Sequence, residues 1–243
     1  MNTVLIIGAK SDIAKSLATL YALKGYNLYL AAKNSDALNE FAEDLRIRTE
    51  QEIQTIDLDI LDYASHSSFY QSLTTAPQIA VSFIGYLGDQ NLAQTDFAES
   101  KKIIDTNFTG IVSLLNIIAN DFEAKKQGTI IGVSSVAGDR GRKKNYTYGA
   151  AKAAFSAYLS GLRNRLHAAN VHVMTVKPGF VNTKMTRGMD LPEKLTASAD
   201  AVAHDIYHAA NKKTDIIYTK WIWRWIMLII KHIPEWKFKR MDI

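Results

Sequence analysis

Tyr148 and Lys152 stand four residues apart in the run Tyr148-Gly149-Ala150-Ala151-Lys152. On a helix that spacing puts both side chains on one face, one turn apart. A free tyrosine titrates near pH 10 and is a poor acid or base at neutrality, whereas an ammonium beside it favours the phenolate. Thirteen residues before the tyrosine, Ser135 closes an apolar, strand-like run that starts at Thr129. A hydroxyl at the carboxyl end of such a strand faces the edge where ligands bind in open α/β sheets. It can hold a carbonyl oxygen while the tyrosine passes a proton, the chemistry of carbonyl reduction or its reverse. A Tyr and a Lys four apart also arise by chance in helices, so the pair gains its weight from the strand and serine before it.

A second cluster lies at the other end of the chain. The apolar run Val4–Ile7 leads into Gly8-Ala9-Lys10-Ser11-Asp12-Ile13-Ala14 and then a helical pattern. In a nucleotide fold the first strand-to-helix turn aims backbone N–H groups and a helix N-terminus at a pyrophosphate. Only Gly8 remains of the usual three glycines, and Asp12 is equally suited to capping its helix. Taken alone, the turn leaves cofactor binding and a plain turn both open. The next strand ends in Leu30-Ala31-Ala32-Lys33-Asn34, with no acid for the ribose diol of NAD. Lys33, with Lys10 nearby, favours the 2′-phosphate of NADP(H) instead; the plain alternative is a solvated surface lysine.

Seven apolar, β-rich runs alternate with helix-length segments: 4–7, 28–31, 53–58, 79–84, 129–133, 171–176 and 216–218, separated by 12–24, 35–49, 63–73, about 97–122, 147–169 and 199–211. Continuous apolar strands separated by helices predict a doubly wound α/β fold, a seven-stranded parallel sheet covered on both faces. No repeat or flexible linker interrupts it, which gives one domain over 1–218 and a tail over 219–243. Residues 185–198 have weak periodicity and are expected to form a loop or lid.

The chain has 243 residues, 47% of them hydrophobic and 22% charged, enough for a substantial core. It has no cysteine, which excludes disulfides, thiolate ligands and Cys nucleophiles, and its six histidines lack metal-ligand spacing. The run Thr3–Ile7 carries no basic flank or cleavage pattern, and the expectation is a cytoplasmic protein. Four of the five net positive charges, and all four tryptophans, fall in residues 219–243, which argues against a nucleic-acid surface spread over the fold. Within the tail, Trp221–Ile230 has nine apolar residues in ten, too short a run to span a bilayer, which takes about 20 residues. As a helix it gathers Lys220, Arg224, Lys231 and Glu235 on one stripe. Two readings stay open: an interfacial helix against anionic lipid, or packing between subunits of a homo-oligomer. Arg140, Arg142, Lys143 and Lys144 are either an attraction for a substrate phosphate or a solvated basic loop.

Taken together, these residues resemble the short-chain dehydrogenase/reductase family over about residues 3 to 218. Ser135 and Tyr148-x-x-x-Lys152 match its catalytic motif, and Asn107 in Asp105-Thr106-Asn107-Phe108-Thr109-Gly110 matches its fourth catalytic residue. The resemblance implies that Tyr148 is the general acid/base, that Lys152 lowers its pKa and binds the nicotinamide ribose, and that Ser135 orients the carbonyl. It implies that Asn107 holds a proton-relay water through a kink in its helix. Asp59-Ile60 resembles the adenine-contacting pair, and Pro178-Gly179-Phe180-Val181-Asn182-Thr183 resembles the carboxamide loop. The implied cofactor contacts are therefore Gly8, Lys10, Ser11, Asp12, Ile13, Lys33, Asp59, Ile60, Gly85, Tyr148, Lys152, Pro178, Gly179, Val181 and Thr183, with NADPH as the cofactor and no metal.

Two positions depart from the family pattern. Asp12 and Ala14 replace glycines of the phosphate turn, and Ser82-Phe83-Ile84-Gly85 stands where Asn-Asn-Ala-Gly is usual. Within the family, Gly85–Gln90, Ser134–Arg142 and the tail are similar to the reductase partner of the mycobacterial decaprenylphosphoryl-ribose 2′-epimerase. That similarity implies a 2-keto sugar on a polyprenyl-phosphate carrier and a partner oxidase that makes the ketone. The alternatives are a reductase of an acyl or steroid-like ketone, and a low-turnover nucleotide-binding partner of an oxidase.

Overall fold

Val4, Leu5, Ile6 and Ile7 point alternately to opposite faces of β1 (Thr3–Ile7), and all four are buried. An uninterrupted apolar strand of this kind requires both faces of its sheet to be covered. The computed structural model describes residues 2–242 and shows that arrangement. After β1 come α1 (Asp12–Leu23), β2 (Asn27–Ala32), α2 (Asn39–Thr49), β3 (Ile53–Asp57), α3 (His66–Gln71) and β4 (Ile79–Ser82). The second half runs α4 (Gln90–Thr95), α5 (Phe97–Ile104), α6 (Gly110–Lys125), β5 (Gly128–Val133), α7 (Tyr146–Leu166) and β6 (Val171–Pro178). β7 (Phe180–Asn182), β8 (Thr196–Ser198), α8 (Ala199–Asn211), β9 (Ile216–Thr219), α9 (Ile222–His232) and α10 (Glu235–Phe238) follow. Seven strands form one parallel sheet in the order β3-β2-β1-β4-β5-β6-β9.

One face buries Val4, Ile6, Leu28, Leu30, Val81 and Ile131 against Leu17 of α1 and Val202 and Ile206 of α8. The other buries Leu5, Ile7, Ala80, Ile130 and Val173 against Leu114, Leu115 and Ile118 of α6 and Phe155 and Leu159 of α7. Strand order reverses between β1 and β4, which opens a crevice at their carboxyl ends, the usual ligand position in this topology.

The details differ from the sequence reading where local chemistry intervenes. The segment expected as one helix over 97–122 is α5 and α6 joined by a π-helical turn, Asp105–Thr109, with Asn107 at its centre. The extra residue of such a turn breaks the helical register. α4 is an additional short helix made by capping: the Asp89 carboxylate accepts from Asn91 N at 2.8 Å and Leu92 N at 3.3 Å. β4 ends two residues before Ile84, because the Ile84 carbonyl turns to the Lys152 ammonium at 3.0 Å. The 185–198 segment is not wholly irregular: β8 pairs in parallel with β7, closing a small second sheet.

The tail helix α9 lies on the body. Trp223 and Met227 are buried among Val136, Phe180, Leu195 and Tyr218, and the Trp223 indole N–H donates to Leu195 O at 3.0 Å. Arg140 holds the helix end by donating to Ile230 O at 2.9 Å and Ile233 O at 2.6 Å, with its guanidinium 3.9 Å from the Phe238 ring centre. The outward side of the tail leaves Trp221, Trp225, Ile229 and Trp236 exposed.

Candidate active site

Lys152 is 2% exposed, reached only from the crevice, and its ammonium donates to Ile84 O at 3.0 Å and Val133 O at 3.2 Å. α7 carries it one turn after Tyr148, and the ammonium lies 5.8 Å from the tyrosine ring centre. Ser135, in extended backbone just past β5, accepts from Ala137 N at 3.1 Å and hydrogen-bonds the Tyr148 phenol. Three side chains from two elements thus meet at the carboxyl end of β5.

The electrostatics differ from what the family resemblance implies. Burial pushes Tyr148 up to about 12, opposed in part by the Ser135 hydrogen bond, and burial brings Lys152 down to about 7. Desolvation penalises whichever form is charged, so it raises an acid and lowers a base. At this separation it outweighs the attraction between ammonium and phenolate. Tyr148 is therefore held as a neutral phenol at pH 7, the form that donates a proton to a developing alkoxide. Lys152 titrates near neutrality beside it.

Asn107 is fully buried and does not line the crevice. Its amide donates to Tyr86 O at 2.6 Å and Ile103 O at 2.8 Å and accepts from Tyr86 N at 3.2 Å. It clamps the segment after β4 that passes the reaction centre, and a Cβ at Gly85 would meet both Asn107 Oδ1 at 3.7 Å and Lys152 Nζ at 3.8 Å. Asn107 is thus a positioning residue behind Gly85. The unusual Phe83 and Ile84 do not leave the edge unpaired, since Phe83 N donates to Ile7 O at 2.8 Å and Lys152 takes Ile84 O.

A cavity of about 770 Å³ joins this centre to the first turn. Gly8, Lys10, Ser11, Asp12 and Ile13 line one end with Lys33, Asp59 and Ile60, and Gly85, Tyr148 and Lys152 line the other with Pro178, Gly179, Val181 and Thr183. Every residue expected to hold the cofactor therefore faces one continuous space. Gly8 takes φ +81°, and a Cβ there would come within 3.0 Å of Ile84 N, so the turn depends on the one glycine retained. Asp12 does not cap α1; its carboxylate accepts from Lys184 N at 2.7 Å across the cavity wall that both residues line. The residues fit a dinucleotide, with a close backbone approach at Gly8 and one continuous cavity that runs from the first turn to Tyr148 and Lys152.

Lys33 bonds Asp59 at 2.6 Å, which also accepts from Leu61 N at 3.0 Å, and this pairing holds the Asp59 carboxyl below its ordinary range. Lys33 thus reaches the adenosine end already partnered. The sequence reading missed Tyr86, Lys102, Asn145 and Met185, which also line the cavity. Tyr86 lies on the β4–α4 connection, Lys102 on α5, Asn145 just before α7 and Met185 on the β7–β8 connection, so only the tertiary fold brings them together. It also missed Trp223 as a support, whose ring occupies the place of a Gly179 side chain, 1.9 Å from where a Cβ would stand.

A doubly wound parallel sheet with a nucleotide cleft at its switch point, a buried Tyr and Lys and a half-buried Ser at one end defines a nicotinamide-dependent oxidoreductase. A family model for short chain dehydrogenases matches residues 2–194, and the chain belongs to that family. An uncharacterized oxidoreductase of Mycobacterium tuberculosis is 34% identical over 241 residues, covering 98% of this chain and 96% of the relative. A Streptomyces coelicolor oxidoreductase is 28% identical over 245 residues, covering 100% and 96%. A short-chain dehydrogenase from Sphingobium yanoikuyae, solved in complex with NADPH, superposes with TM-score 0.84 at 23% identity over 97% of each chain. The bulky-bulky ketone specific alcohol dehydrogenase from Comamonas testosteroni has TM-score 0.80 at 22% identity, covering 97% of this chain and 96% of that one. These two likenesses are likenesses of fold.

Proposed function

We propose that the protein is an NADPH-dependent reductase of a 2-keto sugar carried on a polyprenyl phosphate. The observation that carries the reading is the meeting of Tyr148, Lys152 and Ser135 at one end of a cavity whose other end is lined by Gly8, Lys10 and Lys33. A bound nicotinamide supplies hydride; the chain's own groups position the carbonyl and deliver the proton. Ser135 orients the substrate oxygen toward Tyr148, which protonates it as negative charge develops. Lys152, titrating near neutrality, restores the phenol's proton and donates to the ribose. Lys33 and Lys10 at the adenosine end support NADPH over NADH, as does the NADPH complex of the Sphingobium protein.

The lipid carrier is supported by the tail. Trp221, Trp225, Ile229 and Trp236 are exposed on a segment that also holds most of the net positive charge, a composition suited to the interface of an anionic bilayer. The resemblance of Gly85–Gln90 and Ser134–Arg142 to the epimerase-partner reductases supports the sugar.

The test titrates NADPH and NADH against the purified protein and its Lys33→Asp variant, then offers a polyprenyl-phosphoryl 2-keto pentose in lipid vesicles. Tighter NADPH binding that is lost in the variant, followed by NADPH oxidation with the lipid-linked ketone, is expected. Equal affinities, or turnover of simple acyl ketones with none of the lipid-linked sugar, would overturn the proposal.

A further inference from the structure

Four cations follow Ser135 within ten residues, and the structure separates them. Arg140 is committed to the carbonyls at the end of α9, to Glu235 and to the Phe238 ring. Lys143 pairs with Asp242 at 2.7 Å, and Lys144 is exposed outside the cavity. Arg142 alone of the four lines the cavity, on the wall that also holds Tyr148.

Arg142 has no carboxylate partner among the described residues. Its nearest acid, Asp139, is occupied by the Lys177 ammonium and the Tyr218 hydroxyl. The one polar contact of its guanidinium is with the Met227 thioether sulfur at 3.2 Å, a weak acceptor, and its Nε is buried without a partner. On the same wall the Asn145 Oδ1 is buried and likewise unpartnered. A desolvated guanidinium without a counter-ion is costly, and the cost is recovered only when an anion arrives.

We infer that Arg142 is an anion subsite for the substrate, binding a phosphate or carboxylate carried close to the ketone, with Asn145 accepting from a neighbouring hydroxyl. The inference rests on the reductase reading and narrows its substrate to an anionic hydroxyketone. A guanidinium presents its donors as a planar fork that matches either oxyanion in bidentate fashion, which a lysine cannot reproduce. The subsite stands against Met227 of α9, so the anion would be held on the side of the cavity nearest the tail.

The test uses the NADPH-loaded protein with three ketones: fructose 1-phosphate, 2-ketogluconate and neutral fructose. Binding is followed by calorimetry and turnover by NADPH oxidation. Wild type is expected to bind at least one anionic ketone more tightly than fructose. Arg142→Gln should lose that preference by about 10- to 100-fold, with NADPH affinity and fructose binding unchanged. Arg142→Lys should recover part of it. Arg142→Met, which keeps the packing on Met227, carries the same expectation should the Gln variant fold poorly. A larger loss with one anionic ketone identifies the oxyanion as phosphate or carboxylate. Retention of the preference in these variants, its absence in wild type, or an equal loss of NADPH affinity would overturn the assignment. Failure of the reductase reading looks different: Arg142-dependent binding of an anionic ketone with no oxidation of NADPH.

Discussion

Replacing Lys152 by Met removes a buried titration while keeping the length of the side chain. A lysine in the unfolded chain titrates near 10.5, and burial brings Lys152 to about 7 in the folded protein. Between those values the unfolded state holds a proton that the folded state has released. Unfolding then takes up a proton, and stability increases with pH, by up to about 1.4 kcal/mol per pH unit. From pH 7 to 10 the contribution accumulates to on the order of 4 kcal/mol. In Lys152→Met that slope is absent, and Ile84 O and Val133 O lose their donor, at about 1–3 kcal/mol each. The wild type should therefore be clearly more stable than the variant at pH 10, and the gap should shrink or vanish at pH 7. Tyr148, shifted upward, is common to both proteins, so the small contribution it makes as pH approaches 10 cancels from the gap. Urea denaturation of both proteins at pH 7, 8, 9 and 10 measures the gap at each pH. A gap constant to within about 1 kcal/mol across the range would show that Lys152 stays charged when folded and would refute the reasoning.

Tyr148→Phe should cut ketone reduction by about 10²- to 10⁴-fold with NADPH affinity retained, read by steady-state kinetics and fluorescence titration. In the wild type, kcat should fall in two steps, one near pH 7 as Lys152 loses the proton it passes to the phenol and one above about pH 10 as Tyr148 approaches its raised value; a single fall centred at about pH 8 to 9 would contradict the burial argument. Trp223→Ala empties the contact under Gly179 and should cost about 3–5 kcal/mol. It should unseat α9, speed trypsin cleavage after Lys220, Arg224 and Lys231 and weaken NADPH binding; unchanged cleavage would show that Met227 and Arg140 hold α9 without Trp223.

The sheet was legible because most of its strands are apolar on both faces, a pattern that Val4–Ile7 of β1 and Leu28–Ala32 of β2 show without interruption and the edge strand β3 does not. The reacting groups were legible because their spacing is fixed locally: one helical turn separates Tyr148 from Lys152, and Ser135 ends a strand. What the sequence did not reveal depends on partners far along the chain. Asp12 looked like a cap but meets Lys184, 172 positions away. The shift of Tyr148 is set by how deeply the assembled fold buries it. The tail showed its composition but not its seat, because the space for Trp223 is the missing side chain of Gly179. That the basic loop splits into a structural Arg140 and a cavity-facing Arg142 is likewise a product of where α9 comes to rest.

That resting place ties two surfaces together. α9 presents Trp225 and Ile229 outward, with Trp221 and Trp236 exposed at its flanks, while its Trp223 sits against the Gly179 loop and its Met227 against Arg142. Whatever docks on the outer side and favours the seated helix must tighten any ligand that needs those inner contacts. A ligand in the cavity must strengthen the docking by the same factor, because coupling free energies are reciprocal. The helix α9 is in this sense a thermodynamic lever whose two arms are the protein's exterior and the wall of its cavity.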